Sequence, residues 1–195
     1  MHAFTKTAGI FVATGILFGV ALSPAQAVDN SDTINATVSA GNLTANPTAP
    51  VAMSGVVLDG INAKASTGTA AAWTITNARG TNTAWSLSAS ATDFVSAAGT
   101  VDTTARTLPA SNLVITPGII TAGAGSDAAP SAAALTVSNV AQSLVYTTTL
   151  GKGSFTLSPS FTLNVPANAY RSNFSAAVGT TAVNPYVSTI TFTIA

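Results

Sequence analysis

The 195-residue chain carries six basic and six acidic side chains, no net charge and no cysteine. That balance excludes a disulfide-stapled module and leaves no basic patch to neutralise phosphates, so nucleic acid is not an expected partner. Glu is absent, and little Lys or Leu beside abundant Thr, Val and Ser favours strands over helices.

The first residues read as an export signal. Lys6 is a short positive start, an apolar run spans Ala8 to Leu22, and Ser23-Pro24 breaks it. Ala25 and Ala27 supply the small residues a signal peptidase requires, so cleavage is expected after Ala27. The run is shorter than the roughly 20 apolar residues a spanning helix needs, so no membrane anchor is expected after cleavage. Residues 28–195 are then one domain, long enough to bury a core without staples. High apolar content and low charge weigh against disorder.

Along the domain, Ile34, Ala36, Val38 and Ala40 alternate and predict a first strand, ended by Gly41-Asn42. Asn46-Pro47 and Ala49-Pro50 mark a turn, and residues 51–59 predict a second strand ended by Gly60. Lys64 to Ala70 reads as a small-residue loop. Trp73 and Ile75, then Trp85, Leu87, Ala89 and Ala91, alternate with polar residues around a Gly- and Asn-containing loop, which predicts a β-hairpin. The tryptophans fall on its apolar face. Phe94 to Ser131 predicts long loops and short strands, with Leu113-Val114-Ile115 stopped at Pro117-Gly118.

Residues 132–137 have helical Ala content but strand-like Leu135-Thr136-Val137. Leu144, Tyr146, Thr148 and Leu150 predict a strand closed by Gly151-Lys152-Gly153. Phe155, Leu157, Phe161, Leu163 and Val165 share one parity, and Pro159 among them requires a bulge, an edge or a break. Tyr186, Ser188, Ile190, Phe192 and Ile194 alternate in the last strand. The pattern predicts an all-β, antiparallel β-sandwich.

The only histidine, His2, lies in the expected signal. Beyond residue 27 there is no His, Cys or Glu, so a Ser–His pair, a thiolate nucleophile and a zinc site are not available. Acid–base work would fall on Asp, Lys, Tyr or Arg. The aspartates sit in turn-like settings that suit capping, and Asp29 and Asp32 lack the further oxygen ligands of a calcium loop. No metal or cofactor and no enzymatic activity are expected.

The stretch from Trp73 to Leu87 resembles the WxL domain of Gram-positive surface proteins. Asn77, Arg79 and Gly80 fill that family's Asp/Asn-x-Arg-Gly turn, and Trp85-Ser86-Leu87 is its first signature. Its second signature is a Tyr followed by a strand ending in Thr-Trp-x-Leu. Tyr186 to Ile194 has that spacing, with Phe192 in place of Trp and Ile194 in place of Leu. The resemblance implies a secreted, cell-surface protein that attaches non-covalently to the cell wall. It implies peptidoglycan as the wall polymer and complexes with other surface proteins.

Trp85, Leu87, Phe192 and Ile194 are therefore candidate contact residues, since aromatic faces stack on sugars and anchor interfaces. The competing role is ordinary core packing. Arg79 is a candidate ligand for wall carboxylates or pyrophosphate, or a clamp on turn carbonyls beside Gly80. Tyr186 is a candidate contact or a rim residue with a bonded hydroxyl. A second function class is a structural surface subunit assembling by β-strand addition, for which the Thr-rich last strand is suited.

Overall fold

A computed structural model of the chain describes residues 32–149, 151–177 and 181–195. The expected signal peptide and its cleavage site lie outside them. Among the described residues no helix is long and apolar enough to cross a membrane.

Among the described residues sixteen strands are seen. The first six are β1 (Leu43–Ala45), β2 (Lys64–Thr69), β3 (Trp73–Asn77), β4 (Ser86–Ala91), β5 (Phe94–Ser96) and β6 (Arg106–Leu108). After a 3-10 turn at Ala110–Asn112 come β7 (Leu113–Thr116), β8 (Thr121–Ala122), β9 (Ser131–Ala132), β10 (Leu135–Thr136) and β11 (Gln142–Tyr146). The last five are β12 (Gly153–Leu157), β13 (Ser160–Val165), β14 (Asn173–Phe174), β15 (Val183–Asn184) and β16 (Ile190–Ile194).

Three four-stranded sheets have the orders β1-β3-β12-β8, β10-β7-β13-β2 and β16-β4-β11-β9. The first two are successive halves of the same three long strands: β2 runs into β3, β12 into β13, and β7 into β8. Between the halves, residues 70–72 lie opposite 158–159, and 117–120 lie opposite 157–159. Each outer strand thus gains one residue, a bulge on either side of the central one. Pro159 is the cause, because it has no N–H for the ladder and is fully buried at the bend. Gly118 accommodates it from the next strand. Its φ is +75°, and a Cβ there would lie 2.7 Å from the Ser158 carbonyl oxygen.

This bent sheet packs against the β16-β4-β11-β9 sheet as an all-β sandwich. Aromatic pairs join the layers: Trp73 meets Phe192 at 5.0 Å, edge to face, and Trp85 meets Phe155 at 6.1 Å. Trp73, Ile75, Leu87, Phe155, Ile115 and Leu144 are fully enclosed. The Trp73 indole N–H donates to the Thr48 carbonyl at 3.0 Å, so its burial strands no polar atom.

Several expectations are corrected. Residues 32–42 form no strand; Ile34 and Val38 are each 94% exposed, because alternation alone supplies no pairing neighbour. Residues 51–59 form no strand either: the segment, broken by Gly55, crosses the free edge of β2 and is fixed there at Ser54. The expected loop at Lys64 to Ala70 is instead β2, paired along its whole length with β13. Its small residues are accommodated by position, since a Cβ at Gly68 would meet Met53 Sδ at 2.7 Å in the crossing segment. β3 and β4 are strands as expected, but not a hairpin, since they belong to opposite layers. In β11 the register shifts between Ser143 and Val145, so Leu144 and Val145 are both buried while Tyr146 is exposed. The last regular strand begins at Ile190, preceded by a single bridge from Val187 to Val95.

Candidate functional site

The turn after β3 is built around Asn77, which is 2% exposed. Its Nδ2 donates to the Gly151 carbonyl at 2.9 Å, and its Oδ1 accepts from the Arg79 backbone N–H and from Arg79 Nε, at 3.3 and 3.1 Å. The other end of the guanidinium donates to the carbonyls of Thr83 and Ala84, at 3.1 and 3.4 Å. Arg79 therefore clamps the loop between the two layers. Gly80 supplies the left-handed residue the turn needs, with φ +67°.

Trp85 enters the core where this loop ends. Its Nε1 donates to the same Gly151 carbonyl at 3.0 Å, and its backbone N–H donates to Thr147 Oγ1 at 3.1 Å. Gly151 has φ +124°, and a Cβ on it would lie 2.8 Å from Trp85 Nε1. Asp127 Oδ2 accepts from the N–H groups of Gly151 and Lys152, at 3.1 and 2.8 Å. These two amides, and then the Lys152 ammonium, hold the Asp127 carboxyl below its ordinary pKa. The polar atoms of this cluster bond one another. Among the described residues Arg79 has no carboxylate partner, so its charge is balanced by carbonyl dipoles.

The two signatures meet on neighbouring strands. Leu87 of β4 lies opposite Ile194 of β16, and Ala89 lies opposite Phe192. Trp85 is 2% exposed and Leu87 fully buried, so neither presents an area on which a sugar could stack. Phe192 and Ile194 are half-buried. The opposite face of the same strands carries Ser86, Ser88 and Ser90 beside Thr191 and Thr193.

Tyr186 lies apart from this cluster, in the wall of a groove of about 880 Å³. The groove opens between the edge of β2 and the chain leading into β16. Its floor is core: Phe94, Leu108, Leu113, Phe161 and Leu163. One wall is the crossing segment 49–58, whose Ser54 donates its N–H to the Thr67 carbonyl at 2.7 Å and accepts from the Thr67 N–H at 2.8 Å. The other wall holds Tyr186, whose hydroxyl donates to the Tyr170 carbonyl at 2.9 Å; burial raises its pKa. The Arg106 guanidinium sits 3.7 Å over the Tyr170 ring and 2.6 Å from Asp102, whose pKa it lowers. Among the described residues no three His, Cys, Asp or Glu side chains converge as metal ligands would.

Sequence reasoning missed the Gly151 hub and the groove. The signal for the hub was a glycine pair flanking Lys152, read only as a turn. The signal for the groove was Pro50 to Leu58, apolar but without alternation.

The family model described as "WxL domain surface cell wall-binding" matches residues 57–195. That range includes the clamp, both signatures and most of the groove. No curated protein and no solved structure matches the chain.

Proposed function

The chain belongs to the WxL family of surface cell wall-binding domains, and from that premise we propose that it binds peptidoglycan non-covalently outside the cell. In this reading residues 1–27 are a cleaved signal peptide, and residues 28–195 are a secreted, wall-associated domain that binds rather than catalyses. The observation that carries the reading is the family match over residues 57–195, which spans every strand from β2 to β16.

In this reading the work divides as follows. Trp85, Leu87 and Arg79 hold the turn and the core, with Phe192 and Ile194 completing the pair of strands. The contact is made by their outer face, where Ser86, Ser88, Ser90, Thr191 and Thr193 form an uncharged hydroxyl surface. Such a surface can exchange hydrogen bonds with the hydroxyls and amides of a glycan strand, without a fixed charge to desolvate. Other surface proteins remain partners in this reading, through surfaces the wall leaves open.

Co-sedimentation of the secreted protein with purified peptidoglycan tests it. The protein is expected in the pellet, with retention reduced by Ser88→Glu and Thr191→Glu at unchanged melting temperature. Retention only on walls that still carry teichoic acids would overturn peptidoglycan as the target.

A further inference from the structure

The β11 bulge decides which way Tyr146 points. At its start β11 pairs Gln142 with Ala89 and Ser143 with Ser88. Carried on without a break, that register would set Leu144 against Leu87, Val145 against Ser86 and Tyr146 against Trp85. Residues directly opposite in an antiparallel pair share a face. Tyr146 would then turn into the core beside Trp85, and Val145 would turn out beside Ser86. The bulge inserts one residue instead. Leu144 and Val145 both turn inward and are fully buried, and Tyr146 lies opposite Ser86. One extra residue thus exchanges a valine for a tyrosine on the outer face.

Burial alone favours the opposite arrangement, since the tyrosine ring carries the larger apolar area. Tyr146 is instead 39% exposed. Its hydroxyl makes no hydrogen bond among the described residues, in contrast to the hydroxyl of Tyr186, which is bonded to Tyr170.

The face that Tyr146 reaches is the hydroxyl surface. Ser86 and Ser131 flank it on the neighbouring strands, and Ser88 forms the next row with Ser143 on one side and Thr193 on the other. The flanking serines stand about 5 Å to either side, and the next row about 7 Å along β4. These neighbours are short and uncharged, so the ring stands above them. Tyr146 is the one aromatic side chain in these rows.

A sugar ring has a face of C–H groups and a rim of hydroxyls and amides. The C–H groups carry slight positive charge and pack on the negative face of an aromatic ring, while the rim seeks hydrogen-bond partners beside it. An exposed tyrosine between serines offers both. Hydroxyl rows alone would suit any polar polymer, and the ring adds a preference for sugar over peptide.

Resting on the reading that this face meets the wall, we propose that Tyr146 is the stacking platform for one sugar ring of the glycan strand, with the Ser86 and Ser131 hydroxyls at that ring's rim. The part of peptidoglycan recognised here is the sugar backbone, not the stem peptide.

Retention on purified peptidoglycan, measured beside melting temperature, tests this. Tyr146→Leu keeps an apolar side chain without an aromatic face and should weaken binding about tenfold, the order expected of one aromatic contact. Tyr146→Phe and Tyr146→Trp keep the face and should bind close to wild type. All three should melt near wild type, because the ring lies outside the core. Glycan strands freed of stem peptides by an amidase should displace the wild-type protein from peptidoglycan, and the released stem peptides should not. Wild-type binding by Tyr146→Leu, equal losses in Tyr146→Phe and Tyr146→Leu, or displacement by stem peptides alone overturns the proposal and leaves peptidoglycan binding itself standing. Wild-type protein that stays in the supernatant overturns both.

Discussion

Asn77 and Trp85 donate to one carbonyl oxygen, that of Gly151, at 2.9 and 3.0 Å. The Arg-Gly turn and the Trp-x-Leu strand of the signature are thereby tied to each other through a third segment, the turn before β12. The residues that mark the family in sequence are joined here by hydrogen bonds.

Removing these donors should have graded effects. Trp85→Ala empties a core site and should cost about 3–5 kcal/mol. Trp85→Phe keeps most of the ring volume and loses one hydrogen bond, about 1 kcal/mol, since Asn77 still serves the carbonyl. Gly151→Ala should be worse than Trp85→Phe, because it strains a positive φ and pushes on the indole. Denaturant unfolding of the three variants measures the order, and a Trp85→Ala protein as stable as wild type would remove Trp85 from the core.

Arg79 is expected to act through the loop. Arg79→Ala frees two carbonyls and the Asn77 oxygen, and should lower stability by about 1–3 kcal/mol. Arg79→Lys should recover little, since an ammonium cannot span Asn77 and Thr83 at once. Wall retention measured well below the melting point should be unchanged in both. Folded Arg79→Ala that no longer sediments with walls would make Arg79 a ligand contact instead.

Acid should loosen the Gly151 turn. Asp127 has a folded pKa below its ordinary value of 3.8. A carboxyl with a depressed folded pKa contributes stability that is full above the unfolded value and lost as pH falls through the folded one. Asp59 and Asp102 are lowered in the same direction, by bonds to Asn62 and Lys64 and to Arg106. The denaturation midpoint should therefore be flat near neutral pH and fall below about pH 4. Asp127→Asn should be less stable at pH 7 and show a shallower acid slope; parallel acid limbs would mean that Asp127 plays no part.

The bend should be intolerant of bulk. Gly118→Ala places a Cβ 2.7 Å from a backbone carbonyl at φ +75°, so a loss of at least about 1–2 kcal/mol is expected. Gly125 has the same φ of +75° but open space around it, and Gly125→Ala should cost about 1 kcal/mol. Equal melting temperatures for the two variants would show that the bend can relax.

Alternation marked the strands wherever one face is buried and the other wet. β3, β4 and β13 show this, and their apolar residues are the core. Alternation could not distinguish Ile34 to Ala40, which lack a partner, from Trp73 to Asn77, which have two. It also missed β2, whose Lys-Ala-Ser-Thr-Gly-Thr run is a strand because β13 lies beside it. The hairpin expectation failed because loop length cannot say whether the next strand returns to the same sheet. Of the site, the motif residues were legible because the Arg-Gly turn uses local geometry. The groove was not, because its floor and walls come from distant segments of the chain.

Because each long strand belongs to both halves of the bent sheet, neither half can close alone. Lys64 pairs with Val165, and Leu87 pairs with Ile194, each across about a hundred residues of chain. Pairings over such separations form slowly, so the two layers are expected to consolidate late in refolding, after contacts between neighbouring strands.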